Sequence, residues 1–466
     1  MKQFHCNNHA YCKLLHIALN WQRNQQEAAR QQEGIVMRRH QPLFPGRRFS
    51  FLRLGIAIVA ATLIITGVWT WLAYTKTASR RLPAPWFGGY VDVTAVPSYT
   101  FESDVGDAYD NVILGFITVS HGCNPSWGGY YTLDEASREL NLDSRIAQTF
   151  RTNRTVTISF GGRDGTELAS QCATAGALRK AYQTVISRYH VTSIDMDIEN
   201  ADLNGYSSEA IRRAQAVAAL QRDAVAHGTP LTVGLTLPAD AKGLTDAGLD
   251  TVSVCLDAGV TISSLNLMTM DFNVSSDTST QADLIKQALN AAHTQYKRLL
   301  YAKRKLFSNS QIWQMLGATV LIGKNDTDNE YLTLDDAQKI NTFALQTTLG
   351  RLSMWSLNRD RQCGENSSAL SMQTSCSGVK QTAGEFATLL SSSFKGSPGT
   401  LVDMGTATWS TNSRDYPQWD TATRYAKGNK VIWKGNLYEA MTDNTGERPD
   451  NTAADDGSPW RLIGPA

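Results

Sequence analysis

Apolar runs alternate with amphipathic stretches along the chain from residue 84 to residue 392. Eight short runs have the aliphatic and β-branched composition of buried strands, and they cover residues 86–93, 112–119, 155–160, 191–198, 231–237, 264–270, 318–322 and 352–357. Between several of them, apolar residues recur at helical spacing, at 173–189, 207–227, 281–297 and 334–348. Eight successive strand–helix units predict an α/β fold, a (β/α)8 TIM barrel over residues 84–392.

The fourth run is distinctive because it carries three acidic residues. Asp195, Asp197 and Glu199 alternate with apolar residues, so in a strand all three acids lie on one face. Like charges at this spacing cannot all ionise freely, and at least one pKa should rise. Glu199 stands at the carboxyl end of the strand, the face on which TIM-barrel active sites lie. The pattern therefore suits a general acid that keeps its proton near neutral pH.

Two other interpretations of these acids compete with a catalytic one. Acids that alternate along an edge strand usually form a solvated face, but a closed barrel has no edge strand. Carboxylates also bind hard cations such as calcium or magnesium. This second interpretation predicts that chelators change the activity of the protein.

The amino-terminal segment predicts a membrane anchor. Residues 1–53 are basic and lack a sustained apolar period, which is typical of a disordered or only locally helical segment. Residues 54–74 contain no charged residue, and one helix of that length can cross a bilayer. Basic residues are more frequent before this span than after it, which favours a cytoplasmic amino terminus and a barrel outside the cytoplasm. We expect a transmembrane signal-anchor, with a cleaved signal peptide and a start at Met37 as alternatives.

Length and charge exclude little beyond nucleic-acid binding. The chain has 466 residues and a formal net charge of +1, so it exceeds a single typical domain and gives no electrostatic case for binding nucleic acid. None of its seven cysteines is in a C-x-x-C spacing, which argues against a zinc site or a thioredoxin-like motif.

Several motifs resemble those of one enzyme family. The fourth run resembles the D-x-x-D-x-D-x-E signature of glycoside hydrolase family 18, the chitinases and their relatives. Residues 159–162 (Ser-Phe-Gly-Gly) are similar to its S-x-G-G segment, and residues 268–271 (Met-Thr-Met-Asp) resemble its M-x-Y-D segment. Further resemblance extends over residues 316–326, 333–343 and 351–360, and the chain is most similar to the bacterial chitinase-D-like branch.

The resemblance implies a role for each acid. In this family the N-acetyl group of the substrate acts as the nucleophile. Glu199 is then the acid that protonates the glycosidic oxygen and the base that later activates water. Asp197 orients the acetamido group, and Asp195 shares a proton with Asp197 and tunes it.

The resemblance also implies the substrate-binding residues. Trp355 is expected as the floor beneath the reacting sugar, although a buried core tryptophan is the alternative. The remaining candidates are Met268, Met270, Asp271 and Tyr90, and the two methionines could equally be core residues. Met270 stands where many members have a tyrosine, and Thr192 replaces the first Asp of the signature. Slower turnover is expected if no other hydroxyl replaces that tyrosine.

The cysteines fit an exported barrel. Cys363 and Cys376 bracket a polar loop after the eighth strand, and we expect them to form a disulfide. Cys123 and Cys172 follow the second and third strands and could bridge neighbouring loops, which leaves Cys255 as a buried thiol. Cys6 and Cys12 precede the expected membrane span, on its reducing side.

A second unit follows the barrel. Residues 393–406 have the composition of a linker, and residues 407–464 are rich in aromatic residues and poor in aliphatic ones. So small a unit should not need all of these rings in its core. Its pattern resembles chitin-binding modules of carbohydrate-binding families 5 and 12, small β domains that stack exposed aromatics on polysaccharide. Trp433 and Tyr438 are the candidate docking rings, and the adjacent tryptophan pair of many such modules is absent.

The resemblance predicts a chitinase. We expect an endo-acting, retaining hydrolase of β-1,4-linked N-acetylglucosamine polymers that binds chitin or chitooligosaccharides and acts as a monomer without a metal or an organic cofactor. An endo-β-N-acetylglucosaminidase acting on glycan cores is one alternative. A lectin on the same barrel is another, but such lectins typically lack the terminal acid of the motif, which is present here as Glu199.

Overall fold

The structure is a computed structural model in which residues 62, 83–103, 109–273, 280–327, 329–365, 372–399, 417–433, 436–449 and 459–465 are described. Eight strands form its centre: β1 Trp86–Asp92, β2 Asn111–Val119, β3 Thr155–Gly161, β4 Ser193–Asp197, β5 Thr232–Asp240, β6 Ser264–Met268, β7 Leu316–Leu321 and β8 Arg351–Trp355. Each strand pairs in parallel with the next, and β8 pairs with β1. The ring is therefore closed, and the predicted (β/α)8 barrel with its eight strands is confirmed.

Helices follow most of the strands around the outside of the ring. They are Leu133–Glu139, Leu142–Arg151, Leu168–Gln171, Ala175–Tyr189, Ser208–Ala226, Asp246–Asp257, Gln281–Ala302, Asn309–Met315, Leu334–Thr347 and Glu385–Ser391. The four amphipathic stretches are all helical, as predicted. Each of these four begins at a Ser or Thr whose side chain accepts a hydrogen bond from a first-turn amide, which satisfies an otherwise unpaired donor and fixes where the helix begins.

The hydrophobic core lies between the strands and the helices. In β4 the apolar residues Ile194 and Met196 belong to this core and are 0% and 2% exposed. Successive side chains of a strand alternate between its faces, so the acids of β4 are left on the face that lines the inside of the ring. The two-residue period of the sequence thus places the apolar residues of this strand in the core and its acids inside the ring.

The predicted disulfides are both present. Cys123 bonds to Cys172, and Cys363 bonds to Cys376. Cys255 is a buried free thiol, as expected, and burial raises its pKa to about 11. The Cys123–Cys172 bond ties the loop after β2 to the loop after β3.

The predicted linker begins too early. Phe394 is 2% exposed and belongs to the hydrophobic core. The Gly396 amide donates to the Pro85 carbonyl at 2.9 Å, and the Asn111 side-chain amide donates to the Gly396 carbonyl at 3.1 Å. The chain therefore stays attached to the amino-terminal end of the barrel through residue 396, whereas residues 400–406 lie outside the described residues.

Short strands make up the carboxyl-terminal part of the chain. Lys430–Trp433, Asn436–Ala440 and Trp460–Pro465 form an antiparallel sheet, and Arg424–Tyr425 pairs with Asn444–Thr445.

Tyrosine and tryptophan rings fill the core of this small sheet, contrary to the expectation from the sequence. Tyr425, Tyr438 and Trp460 are all buried there, and the rings of Tyr425 and Trp460 are 5.0 Å apart. Tyr438 is only 6% exposed, so the interpretation of Tyr438 as an exposed docking ring is wrong. With few aliphatic residues available, the rings themselves supply the apolar area that the core needs. Trp433 is half-buried against Trp419, with ring centroids 4.8 Å apart, and its role in binding stays a prediction.

In the part of the chain that the structure describes, no helix has the length and hydropathy of a membrane span. The expected span at residues 54–74 lies, apart from Thr62, outside the described residues.

Candidate active site

The three acids occupy the inside of the barrel at the carboxyl end of β4. Asp195 and Asp197 are 0% and 4% exposed. Glu199 follows the strand by two residues and is half-buried. Burial of Asp195 and Asp197 beside the half-buried Glu199 requires partners or protonation, because an unpaired buried charge is costly.

Asp195 accepts hydrogen bonds from residues on four strands of the ring. It accepts hydrogen bonds from Tyr90 on β1 and Ser159 on β3, each at 2.8 Å, and from Thr236 on β5 at 2.7 Å. Arg351, the first residue of β8, donates to it at 2.8 Å in an ion pair in which both side chains are buried. Burial raises the pKa of Asp195, but the Arg351 charge and these hydrogen bonds outweigh it and hold the pKa below its usual value.

Two glycines make room for Arg351 inside the barrel. A Cβ at Gly234 would lie 3.0 Å from both the Arg351 guanidinium and the Asp195 carboxylate. A Cβ at Gly317 would lie 2.9 Å from Cβ of Arg351. The guanidinium also donates to the Tyr90 hydroxyl and to Ser353, each at 2.8 Å. Arg351 is thus fixed in one position beneath the acids.

Asp197 differs from Asp195 in having an unpaired oxygen. Its Oδ1 is buried and has no hydrogen-bond partner among the described residues. Burial raises the pKa of Asp197 well above its usual value, and the nearby charges of Glu199 and Asp195 raise it further. This matches the expectation that at least one acid of the cluster retains its proton.

Glu199 combines partial exposure with a raised pKa. Burial raises its pKa to about 7, while Arg163 opposes this shift and Asp164 and Asp271 add to it. A carboxylic acid that is half protonated near neutral pH and reaches solvent can donate a proton to a bound molecule.

Gly161 places β3 against the end of β4. Its φ is +100°, and a Cβ there would lie 2.0 Å from the Asp197 carbonyl oxygen. The amide of Gly162 donates to that same carbonyl at 3.0 Å. The Ser-Phe-Gly-Gly segment therefore sets the position of the Asp197 backbone, which is a reason for two consecutive glycines in the motif.

The other predicted site residues lie at the carboxyl ends of β1, β6 and β8. Met268 and Met270 are half-buried, with the buried Thr269 between them. Oδ1 of Asp271 accepts the amides of Asp326 and Thr327 at 2.8 and 3.3 Å, so this oxygen holds the loop after β7. This contact was not expected from the sequence.

Trp355 and Tyr90 share an aromatic cluster. Trp355 is half-buried, and its ring stacks on Phe116 at 5.4 Å and lies 6.0 Å from the ring of Tyr90. Tyr90 is 1% exposed, and its hydroxyl is committed to Asp195. This geometry favours positioning of Asp195 over the predicted substrate contact for Tyr90.

Several residues of the site were missed by the sequence analysis. They are Arg351, Thr236, Phe116 and Arg163. Arg351 carries the clearest signal, because it directly precedes the predicted strand 352–357, and a basic residue that is buried there needs a buried acid as its partner. Within the described residues, no group of three or more His, Cys, Asp or Glu side chains is placed to hold a metal ion.

Fold and site together define a class: a closed (β/α)8 barrel with an acid cluster at the carboxyl end of its fourth strand.

No protein-family model matches the chain. In sequence it is similar to a probable bifunctional chitinase/lysozyme of Escherichia coli strain K12, at 28% identity over 301 residues, 62% of this chain and 32% of that protein. It is also 28% identical over 293 residues to Endochitinase 11 of Metarhizium anisopliae, covering 61% of this chain and 54% of the relative. The chain thus spans about a third and about half of the length of these curated relatives.

A solved structure extends the similarity to the fold. The catalytic domain of a hyperthermophilic chitinase from Pyrococcus furiosus has a TM-score of 0.56 and 25% identity, and the match covers 67% of this chain and 96% of that domain. A second structure, of catalytic-site mutants of active domain 2 of a Pyrococcus furiosus chitinase complexed with chito-oligosaccharides, has a TM-score of 0.57 and 24% identity, and the match covers 67% of this chain and 95% of that chain. The two relatives and the first structure support the resemblance to chitinases that the motifs carry, whereas the second structure shows a similarity of fold alone.

Proposed function

We propose that the barrel hydrolyses β-1,4-linked N-acetylglucosamine polymers, chitin and chitooligosaccharides, by substrate-assisted catalysis with retention of configuration. The observation that carries this proposal is the division of the acids: Asp195 is paired to Arg351, Asp197 has an unpaired buried oxygen, and Glu199 is half-buried with a raised pKa. The similarity to chitinases in sequence and fold supports the substrate class.

The reaction follows from this division. Glu199 gives its proton to the glycosidic oxygen as the bond between that oxygen and the anomeric carbon breaks. The acetamido carbonyl oxygen of the substrate bonds to the anomeric carbon from the other face, and Asp197 accepts the acetamido N–H. Glu199, now ionised, takes a proton from water as the water oxygen bonds to the anomeric carbon. The bond between that carbon and the acetamido oxygen breaks in the same step, so the acetamido group is re-formed and the original configuration is restored.

Asp195 and Arg351 keep this arrangement stable. Because Arg351 holds Asp195 in its ionised form, the proton of the buried pair resides on Asp197, whose pKa is raised. Protonated Asp197 can turn its hydroxyl toward Asp195 and present its other oxygen to the acetamido group. The positive charge that develops on the cyclised intermediate is then balanced by a nearby anion.

The remaining expectations belong to the same proposal. Membership of the chitinase-D-like branch is supported by the motifs, and location outside the cytoplasm is supported by two disulfides, which form in oxidising compartments. The carboxyl-terminal sheet is proposed as a polysaccharide-binding unit through the half-buried Trp433. Truncation of this unit should then weaken action on insoluble chitin more than on soluble oligomers.

A product analysis tests the proposed function. The purified protein is expected to release chitooligosaccharides from chitin and to leave a high-mannose glycopeptide intact, and early products should have the β configuration by NMR spectroscopy. Cleavage of the glycopeptide alone would favour the endo-β-N-acetylglucosaminidase, and binding without any product would favour the lectin.

The pH dependence of kcat/KM tests the role of the proton. Because Glu199 must be protonated for the first step, activity should be present below its pKa and lost as the pH rises through about 7. The measurement is the rate of fluorophore release from a chitobiose conjugate between pH 4 and pH 9. An alkaline limb more than about two pH units away from 7 would contradict the assignment.

A further inference from the structure

An ion pair joins opposite sides of the barrel mouth. Arg163 lies two residues after β3, and its guanidinium donates to the Asp326 carboxylate at 2.6 Å. Asp326 lies in the turn between the short paired strands Gly323–Lys324 and Tyr331–Leu332, directly after β7. In the closed ring of eight strands, β3 and β7 are four places apart in both directions. The two loops therefore leave the barrel from diametrically opposite strands and meet above it.

This contact divides the mouth of the barrel. The ion pair runs from the loop after β3 to the loop after β7. On one side of it are β4, β5 and β6, and on the other side are β8, β1 and β2. Glu199 follows β4, whereas Trp355 ends β8. A sugar that contacts both residues must therefore pass beneath the pair.

Both ends of the pair are connected to the acids of the site. The Asn200 side-chain amide, next to Glu199, donates to the Arg163 carbonyl at 3.0 Å. On the other side, Oδ1 of Asp271 accepts the Asp326 amide at 2.8 Å. The pair thus lies close above the reacting groups and not at a remote part of the rim.

The pair is nevertheless easily opened. The Arg163 side chain is 58% exposed and the Asp326 side chain 37% exposed. Exposed ion pairs contribute little to stability and are screened by salt.

A polymer could not be laid into the site from above while the pair is closed, because its chain continues on both sides of the reacting sugar.

We propose that Arg163 and Asp326 form a rim clasp that must open when an internal segment of a glycan polymer enters the site, so that these two residues set the selectivity between polymers and short oligosaccharides. This inference rests on the proposed function and deepens it. Short substrates can enter end-on beneath the closed rim clasp, whereas a polymer bound at an internal segment cannot. Because salt screens the ion pair, a higher salt concentration should raise the activity on polymers more than the activity on short oligosaccharides.

The variant Asp326→Asn tests the rim clasp. It removes the charge of the side chain but retains the backbone amide, which donates a hydrogen bond to Asp271. We expect kcat/KM on soluble glycol chitin to rise about two- to five-fold, the range that corresponds to an exposed ion pair, with a smaller change on a chitobiose–fluorophore conjugate. Raising the salt concentration from 20 to 500 mM should raise the polymer rate of the wild type and leave that of the variant nearly unchanged. Asp335→Asn, which removes the exposed helix pair of Asp335 with Lys339, is the matched control and should behave as the wild type.

Equal changes on both substrates, or an identical salt response in the wild type and Asp326→Asn, would overturn the rim clasp. The charge-reversed double variant Arg163→Asp/Asp326→Arg should restore the salt response if the ion pair is its cause. A separate binding measurement, glycol-chitin affinity electrophoresis of Glu199→Gln with and without Asp326→Asn, distinguishes the two proposals. Absence of hydrolysis by the wild type would remove the proposed function, yet a salt response of binding that Asp326→Asn abolishes would still support the rim clasp.

Discussion

Glu199→Gln is expected to lower kcat on a chitobiose–fluorophore conjugate by about 10³-fold, within the range of 10² to 10⁴ for loss of a general acid–base residue. The amide has nearly the shape of the carboxylic acid, but it has no proton to give to the glycosidic oxygen. Among the described residues, the Glu199 side chain has no hydrogen bond or ion pair of the kind that Asp195 makes, so the variant should fold normally. Oligosaccharide binding should be retained, and isothermal titration calorimetry with chitotetraose measures it.

The appropriate control is Glu139→Gln, at an exposed position at the end of the helix Leu133–Glu139. It makes the same chemical change far from the acid cluster and should leave kcat unchanged. Turnover of Glu199→Gln at a rate close to that of the wild type would remove Glu199 from its proposed role. Loss of binding together with turnover would instead indicate that Glu199 holds the substrate.

Arg351→Met is expected to lower the free energy of unfolding by about 3–5 kcal/mol, the usual cost of removing one partner of a buried ion pair. Methionine fills most of the space of the arginine side chain, so the main effect is the unpaired charge left on Asp195. Urea denaturation followed by tryptophan fluorescence measures the loss. The double variant Asp195→Asn/Arg351→Met should recover part of it, because it leaves no buried charge.

The effect of Arg351→Met should also depend on pH. In the wild type the pKa of Asp195 is depressed, so the stability that this group contributes is present above its unfolded pKa of about 3.9 and is lost as the pH falls through the folded pKa. The difference between wild type and variant should therefore be largest near neutral pH and smaller below about pH 4. Arg179→Met, which removes an exposed ion pair with Asp223, should cost less than about 1 kcal/mol at every pH. A similar loss for both variants would contradict a special role for Arg351.

The barrel was predictable because its strands and helices follow local rules. The eight apolar runs and the four amphipathic stretches are each visible within a window of a few residues, and Ser or Thr caps mark where those helices begin. The position of Glu199 follows from the same count, since it stands at the end of the fourth run. Which acid keeps its proton could not be predicted, because this depends on Arg351, a residue distant in sequence.

The errors have a common physical origin, which is packing between segments distant in sequence. The composition of residues 393–406 is that of a linker, yet Phe394 finds a place in the barrel core and Gly396 bonds to Pro85. Tyr438 was interpreted as exposed because the small sheet has many rings, but these rings are its core. The local composition of a segment indicates whether its residues tend to be buried or exposed. Whether a given side chain is buried depends on which distant segments of the chain pack against it.

The pairing of Asp195 with Arg351 has a consequence for the order of events during synthesis. Arg351 leaves the ribosome 156 residues after Asp195, a delay of roughly 8 to 30 s at typical elongation rates of about 5–20 residues per second. Until then the acid on the fourth strand has no cation to neutralise it. A nascent chain that ends before the eighth strand therefore cannot close around a charged Asp195, and completion of the ring waits for the last strand to emerge.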